Sequence, residues 1–249
     1  MNLLTIDIGN TLITFGMFKG EKLVKVFRIN TDANARNLKA WLKKNTGRRA
    51  DKVDYIIICS VVPKKTVALQ QLLKQLFKIK AKVAGKYIRI PIRNLYKKPQ
   101  QVGKDRLVNA YACKRLYGAP AVIVDFGTAT TFDYINKKGQ YAGGIIAPGI
   151  EISLDALFKK TALLPKVKMK APGAFLGKST VDSIRSGARY GLSYMCDALI
   201  QDFKRRYAKD LKVIATGGLA VFFKKRCKHI DIVDKNLTLK GLKLLYGKN

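Results

Sequence analysis

The sequence predicts an α/β protein built from two similar lobes. Three observations carry that reading. An apolar run ending in Asp-x-Gly occurs twice, as LTIDIGNT at residues 4–11 and as VDFGTATT at 124–131. Asp7 and Asp125 lie 118 residues apart in a chain of 249, close to half its length. Each half then follows one order: strand, Asp-x-Gly loop, strand, turn, strand, helix.

The elements follow from pattern and punctuation. Residues 3–6, 12–18 and 23–29 run or alternate apolar around Gly9-Asn10 and Lys19-Gly20, which predicts a strand meander. Residues 35–44 read as a short helix, 53–59 (VDYIIIC) as a buried strand, and 64–77 (KKTVALQQLLKQLF) as an amphipathic helix. Two prolines make 88–101 a loop region, and 104–117 a helix follows it. The pattern then restarts, with strands at 121–124, 129–135 and 140–147 and a helix at 151–162. Residues 165–178 are a Pro, Gly and Lys-rich flap, and 180–207 a long helical region. A strand at 211–215 ends in Thr216-Gly217-Gly218 before another helix; a short strand and a last helix fill 230–246. The division falls between residues 1–117 and 118–249. Two such lobes facing each other would bring both Asp-x-Gly loops to one cleft.

Composition narrows the classes. The chain is 48% apolar, enough for a sizeable core and against disorder. The start, MNLLTID, lacks a charged leader region, and no run of 18 apolar residues occurs. The expectation is therefore no signal peptide and no membrane span. Cys59, Cys113, Cys196 and Cys227 form no CxxC pair and His229 is the sole histidine, which argues against a zinc site or disulfide framework and for a reducing cytoplasm. Lys and Arg number 49 against 16 acidic residues, a formal net charge of +33. The lysine pairs, among them Lys43-Lys44, Lys97-Lys98 and Lys224-Lys225, are scattered and not gathered in one arm. They read as a surface coat, from genome bias or deliberate charging, with incidental nucleic-acid binding as its consequence.

A carboxylate at a strand's C-terminal end points to where open α/β sheets bind ligands, commonly to hold a cation. The glycine after it lets the backbone turn its N–H groups onto a phosphate. Asn10, Thr11, Thr14, Thr128, Thr130 and Thr131 add short donors. One Asp-x-Gly is an ordinary turn; two copies, with Gly217-Gly218 after a third strand, point to nucleotide binding. GAFLGKST at 173–180 imitates a P-loop but has three residues between its glycines where four are required. Ser179 and Thr180 read instead as helix N-cap residues, with Asp182 in the first turn. In QVGKDRLVNA (101–110), Asp105 is either a first-turn cap or a general base beside an arginine that anchors an anionic substrate.

The set DIGNT (7–11), GKDR (103–106), DFGTATTFD (125–133), GGIIAPG (143–149) and TGG (216–218) resembles type III pantothenate kinase over essentially the whole chain. GKDR and DFGTATT are specific together, whereas DIGNT alone is shared with actin, sugar kinases and heat-shock ATPases. The resemblance implies two duplicated ribonuclease H-like lobes with mixed sheets flanked by helices and an ATP cleft between them. It implies ATP-dependent phosphorylation of pantothenate, the first step of coenzyme A biosynthesis, in a cytoplasmic homodimer. By position, Asp105 matches the proton acceptor, and Gly103, Lys104 and Arg106 the pantothenate loop. Asp7, Ile8, Gly9, Asn10, Thr11, Leu12, Ile13 and Thr14 match the ATP phosphate loop, with Thr128 a second ATP contact. Asp125 matches the ligand of a monovalent cation, K⁺ or NH₄⁺; Asp7 would place Mg²⁺ through water. Tyr96 and Thr180 match further pantothenate contacts. Lys104 departs from the family, which often has a small residue there, and so does the glutamate content, Glu21 and Glu151 alone. Rival readings are another kinase or phosphohydrolase of the superfamily, and a non-enzymatic regulator or nucleic-acid binder.

Overall fold

The computed structural model describes residues 1–47, 53–169 and 173–247. They divide into two compact units, one drawn from Met1–Arg115 and Asn236–Asn249, the other from Leu116–Lys235. The first unit contains β1 (Asn2–Ile8), β2 (Leu12–Lys19), β3 (Lys22–Asn30), α1 (Ala35–Thr46), β4 (Tyr55–Ser60), α2 (Pro63–Phe77), β5 (Lys82–Val83) and α3 (Lys104–Leu116, whose last residue crosses the division). The second contains β6 (Ala121–Phe126), β7 (Ala129–Ile135), β8 (Tyr141–Pro148), α4 (Ile150–Lys160), α5 (Thr180–Arg206), β9 (Lys212–Thr216), α6 (Ala220–Lys224) and β10 (Ile232–Val233). The last helix, α7 (Leu237–Tyr246), belongs to the first unit.

The two sheets share one topology. The first has order β3-β2-β1-β4-β5, the second β8-β7-β6-β9-β10. In each, the first strand is central, pairs antiparallel with the second and parallel with the fourth. The third strand pairs antiparallel with the second, and the fifth parallel with the fourth. The duplication expected from Asp-x-Gly therefore extends to every strand, and the lobes are ribonuclease H-like.

Period-two alternation divides the first unit into two cores. Leu4, Ile6 and Ile8 join Phe15, Phe27, Leu69 and Leu73 on the α1–α2 side. Phe15 and Phe27 stack at 5.2 Å, and Trp41 of α1 closes on them at 5.5 and 5.3 Å. Helix α2 starts with Pro63 in its first turn and buries Thr66, Leu69, Leu73 and Phe77, one helical stripe. The opposite face of the sheet, with Leu3, Ile57 and Cys59, packs on Val108 and Tyr111 of α3 and Leu239, Leu242 and Leu245 of α7. In the second unit Val122, Val124 and Phe126 pack with Cys196, Ile200 and Phe203 of α5. All four cysteines are buried free thiols.

Two features differ from the sequence reading. The stretch between α2 and α3 holds the two-residue strand β5 and a 3-10 turn at Pro99–Gln101, both too short to show periodicity. Helix α7 leaves the second half and docks on the first sheet, so the division at 117/118 misplaces the chain's end. Thr238 Oγ1 donates to Asn109 Oδ1 at 2.8 Å, and Lys243 reaches Glu21 at 2.6 Å. Gly241 permits the approach: a Cβ there would lie 2.7 Å from Val108 Cγ1 and 2.8 Å from Val108 O. Gly241→Ala is therefore expected to destabilise. Overpacking costs about 1–3 kcal/mol, against a helix-propensity gain of about 1 kcal/mol. A denaturant midpoint at or above that of the parent would refute the close-packing account.

Candidate active site

Asp7 is the penultimate residue of β1, paired with Thr14 on β2 and Cys59 on β4. Asp125 is the penultimate residue of β6, paired with Thr131 on β7 and Thr216 on β9. The two carboxylates therefore occupy equivalent positions, at the C-terminal ends of the central strands.

In the first unit, alternation places Asp7 on the face of Leu3 and Thr5, toward α3. Cys59 beside it faces the same way, and Asp105 sits in the first turn of α3. Electrostatics confirms the grouping. Burial pushes the Cys59 thiol well up; the negative charges of Asp7 and then Asp105 push it further, while Lys104 acts in the opposite sense. Cys59, in register with Asp7 on the adjacent strand, thus marks a neighbourhood that Asp7, Asp105 and Lys104 share.

Asp105 is held closely. Its Oδ1 accepts the Arg106 N–H at 2.9 Å, and a Cβ on Gly103 would collide with that same oxygen. Gly103 is thus the space into which the carboxylate turns. Burial raises the Asp105 carboxyl above its ordinary value, and the Arg106 N–H and guanidinium offset only part of this. Arg106 itself is buried at 9% exposure, so its charge acts on Asp105 from inside the unit. The Lys104 stem lies over Gly85, whose missing Cβ would stand 2.8 Å from Lys104 Cδ. The lysine thus folds onto its own unit. In the preceding loop, Tyr96 N donates to Asn94 Oδ1 at 3.0 Å, and Asn94 Nδ2 to Pro99 O at 3.1 Å.

The loop after β1 is closed by Gly9 N donating to Leu12 O at 3.0 Å, with Asn10, Thr11 and Leu12 exposed around it and Thr14 half-buried. Ile8 and Ile13 are buried, so a ligand would meet only their backbone. Thr31 was missed by the sequence reading. Its hydroxyl donates to Gly9 O at 2.8 Å and its N–H to Thr11 O at 2.9 Å, fixing the loop from β3. A threonine at a strand end gives no signal of this kind.

In the second unit, Thr128 is exposed in the two-residue loop between β6 and β7. Gly149 caps α4 with its backbone so close to Thr128 O that no Cβ fits. Gly217, at φ +90°, passes close to β6: a Cβ there would lie 2.5 Å from Asp125 Oδ1 and 2.7 Å from Phe126 O. Asp125 at the strand end, flanked in register by Thr131 and Thr216, supplies oxygen donors of the class a hard cation prefers. Asp133 is structural: Thr131 and the buried Tyr141 hydroxyl donate to it at 3.1 and 2.8 Å. Ser179 is the N-cap of α5 as expected, its side chain accepting Asp182 N at 3.2 Å, and Thr180 is the first helical residue, exposed. Pro172, next to the P-loop decoy, and Lys170 and Ala171 of the flap lie outside the described residues.

The family model for type III pantothenate kinase matches residues 3–202. The chain belongs to that family. A type III pantothenate kinase of Halalkalibacterium halodurans is 41% identical over 99% of both chains. One from a Geobacillus strain is 43% identical over 98% of this chain and 96% of that relative. A solved structure of a Campylobacter jejuni protein assigned to the Baf family of transcriptional activators is 24% identical, with a TM-score of 0.60 over 99% of this chain and 98% of that one. That last likeness shows the fold alone. The matched residues include the loops of Asp7, Asp105 and Asp125 just described.

Proposed function

We propose that the protein transfers the γ-phosphoryl group of ATP to the primary hydroxyl of pantothenate, giving 4′-phosphopantothenate and ADP, the first step of coenzyme A biosynthesis. The observation that carries the reading is Asp105: a carboxylate with its pKa raised by burial, turned into the space over Gly103, in the same neighbourhood as the Asp7 loop. A raised pKa makes a better proton acceptor at neutral pH than an exposed aspartate.

The loop from Asp7 to Thr14 receives the ATP phosphates, its exposed turn offering N–H groups at Asn10 and Thr11, with Thr128 a second contact. Asp105 takes the proton of the pantothenate hydroxyl as its oxygen attacks the γ-phosphorus and the bond to ADP breaks. Arg106 holds Asp105, and Gly103 and Lys104 shape the substrate loop, with Tyr96 and Thr180 as further pantothenate contacts. Asp7 would hold Mg²⁺ through water, and Asp125 a K⁺ or NH₄⁺ ion; both ions supply neutralisation of phosphate charge. The remaining work is positioning and electrostatics, with no phosphoenzyme. The reading places the enzyme in the cytoplasm; among the described residues no helix is long and apolar enough to cross a membrane. A coupled assay of ADP release should show dependence on pantothenate, with sugars and acetate inert. ADP release on a sugar would move the protein to a neighbouring activity of the superfamily.

The same reading includes a homodimer. An apolar cleft of about 750 Å³ between α4 and α5, lined by Leu157, Leu164, Ile184 and Met195, is one support. Leu163, Phe175 and Leu176 stand exposed beside it at 91%, 61% and 74%. Like-charged subunits repel, most at low salt. Association should therefore tighten from about 0.05 to 0.5 M salt, as the Debye length falls from roughly 14 to 4 Å. Light scattering that shows a monomer throughout would remove the dimer, and dissociation on adding salt would refute an apolar interface.

A further inference from the structure

Three lysines of one short segment, Lys80, Lys82 and Lys86, stand with aromatic rings at one place in the first unit. A small pocket of about 180 Å³ is lined by Tyr55, Ile56, Ile57, Lys80, Lys82, Ile88 and Tyr246. Tyr55 and Tyr246 pair at 4.6 Å between ring centroids, tilted by 54°. Beside the pocket Tyr87 stands 52% exposed, with Lys86 Nζ 5.2 Å and Lys80 Nζ 5.9 Å from its ring centroid. Tyr55 is 44% exposed. Among the described residues on this run of chain the acidic neighbour is Asp54, engaged at 2.6 Å by the backbone N–H of Asn2.

The patch is distinct from the phosphate loop. Tyr55 opens β4 opposite Leu3, whereas Cys59, beside Asp7, lies near its other end. Four residues of strand separate them by about 13 Å. Lysines on the edge strand β5 have an ordinary purpose, since charge discourages edge-to-edge pairing. That purpose needs no tyrosines. Exposed rings interleaved with ammonium groups are what a strand of unpaired bases requires: each base finds a π-face and each phosphate a cation.

We propose that the surface of Tyr55, Tyr87, Tyr246, Lys80, Lys82 and Lys86 binds single-stranded nucleic acid without sequence preference. The bases stack on Tyr87 and Tyr55, and the lysines follow the phosphates. The alternative is the featureless coat, in which any exposed lysines contribute alike and rings contribute nothing. The two differ in what a ring deletion does.

The test is fluorescence anisotropy of the full chain with a labelled oligouridine of eight nucleotides across a salt series. Tyr87→Ala should weaken binding roughly 5- to 150-fold, the effect of losing one stacking platform. Tyr87→Phe, which keeps the ring, should bind like the parent. Lys80→Ala with Lys82→Ala should flatten the dependence of log affinity on log salt by about 1.4, two phosphates' worth on a single strand. Lys137→Ala with Lys138→Ala, an exposed pair in the β7–β8 turn, should change little. The proposal is overturned by parental affinity in Tyr87→Ala, by equal losses in the two lysine pairs, or by duplex DNA of equal length binding as tightly as the single strand.

Discussion

Asp105→Asn is expected to lower turnover by roughly 10²–10⁴-fold while leaving the protein at least as stable as the parent at neutral pH. The two halves of this result come from one cause. Burial raises the folded-state pKa of Asp105, so the fold favours the protonated carboxyl. Its contribution to stability is then present below the unfolded pKa, about 3.9, and is lost as pH rises through the folded value. At neutral pH the ionised group is a cost that the structure bears. Asparagine removes the charge and keeps an oxygen for the Arg106 N–H, which Asp105 Oδ1 now accepts. A residue present only as a helix cap would behave the other way, with turnover intact and stability reduced by about 0.5–1 kcal/mol. The pH profile offers a second reading of the same group. The acid limb of kcat/KM should lie above the ordinary aspartate value of 3.8 in the parent and vanish in the variant. Near-normal turnover in Asp105→Asn would end its candidacy as proton acceptor.

Much of this was legible in the sequence because the informative residues are constrained locally. Asp7 and Asp125 announce themselves by ending apolar strands before glycine, and the structure puts them at equivalent positions in two sheets of the same topology. Strand alternation and helix punctuation likewise gave most element positions. What stayed hidden depends on contacts between distant segments. Thr31 secures the Gly9 loop from β3, and Cys59 lies under both Asp7 and Asp105, yet neither has a neighbour in sequence that signals it. Helix α7 follows the second half in sequence; tertiary complementarity, the fit of Gly241 against Val108 and of Leu239, Leu242 and Leu245 under the first sheet, shows which sheet it covers. The basic aromatic surface escaped for the same reason. Lys80, Lys82 and Lys86 come from one short segment, but Tyr55 and Tyr246 join it only through β4, β5 and α7.

Turnover is also expected to need a monovalent cation at Asp125. Asp125 ends β6 in register with Thr131 and Thr216, and the Gly217 backbone passes so close that a Cβ there would lie 2.5 Å from Asp125 Oδ1. Hard oxygen donors of this kind recruit a hard cation, and a bulky organic cation cannot enter among them. Replacing KCl by tetramethylammonium chloride at constant ionic strength should therefore abolish turnover, and ammonium should restore it. Asp125→Asn should raise the potassium concentration needed for half-maximal rate, because a neutral amide oxygen replaces the charged one. Gly217→Ala should do the same and also lower stability, since its methyl would stand 2.5 Å from Asp125 Oδ1 at a backbone φ of +90°. Binding can be followed without catalysis. Potassium should raise the melting temperature of the parent relative to tetramethylammonium, by mass action on the folded state, and this difference should disappear in Asp125→Asn. Equal rates and equal melting in the two salts would remove the ion and leave Asp125 as a structural or Mg²⁺-directed carboxylate. Equal rates with a potassium-dependent melt would mean that the ion stabilises the loop after β6 and takes no part in neutralising the phosphates.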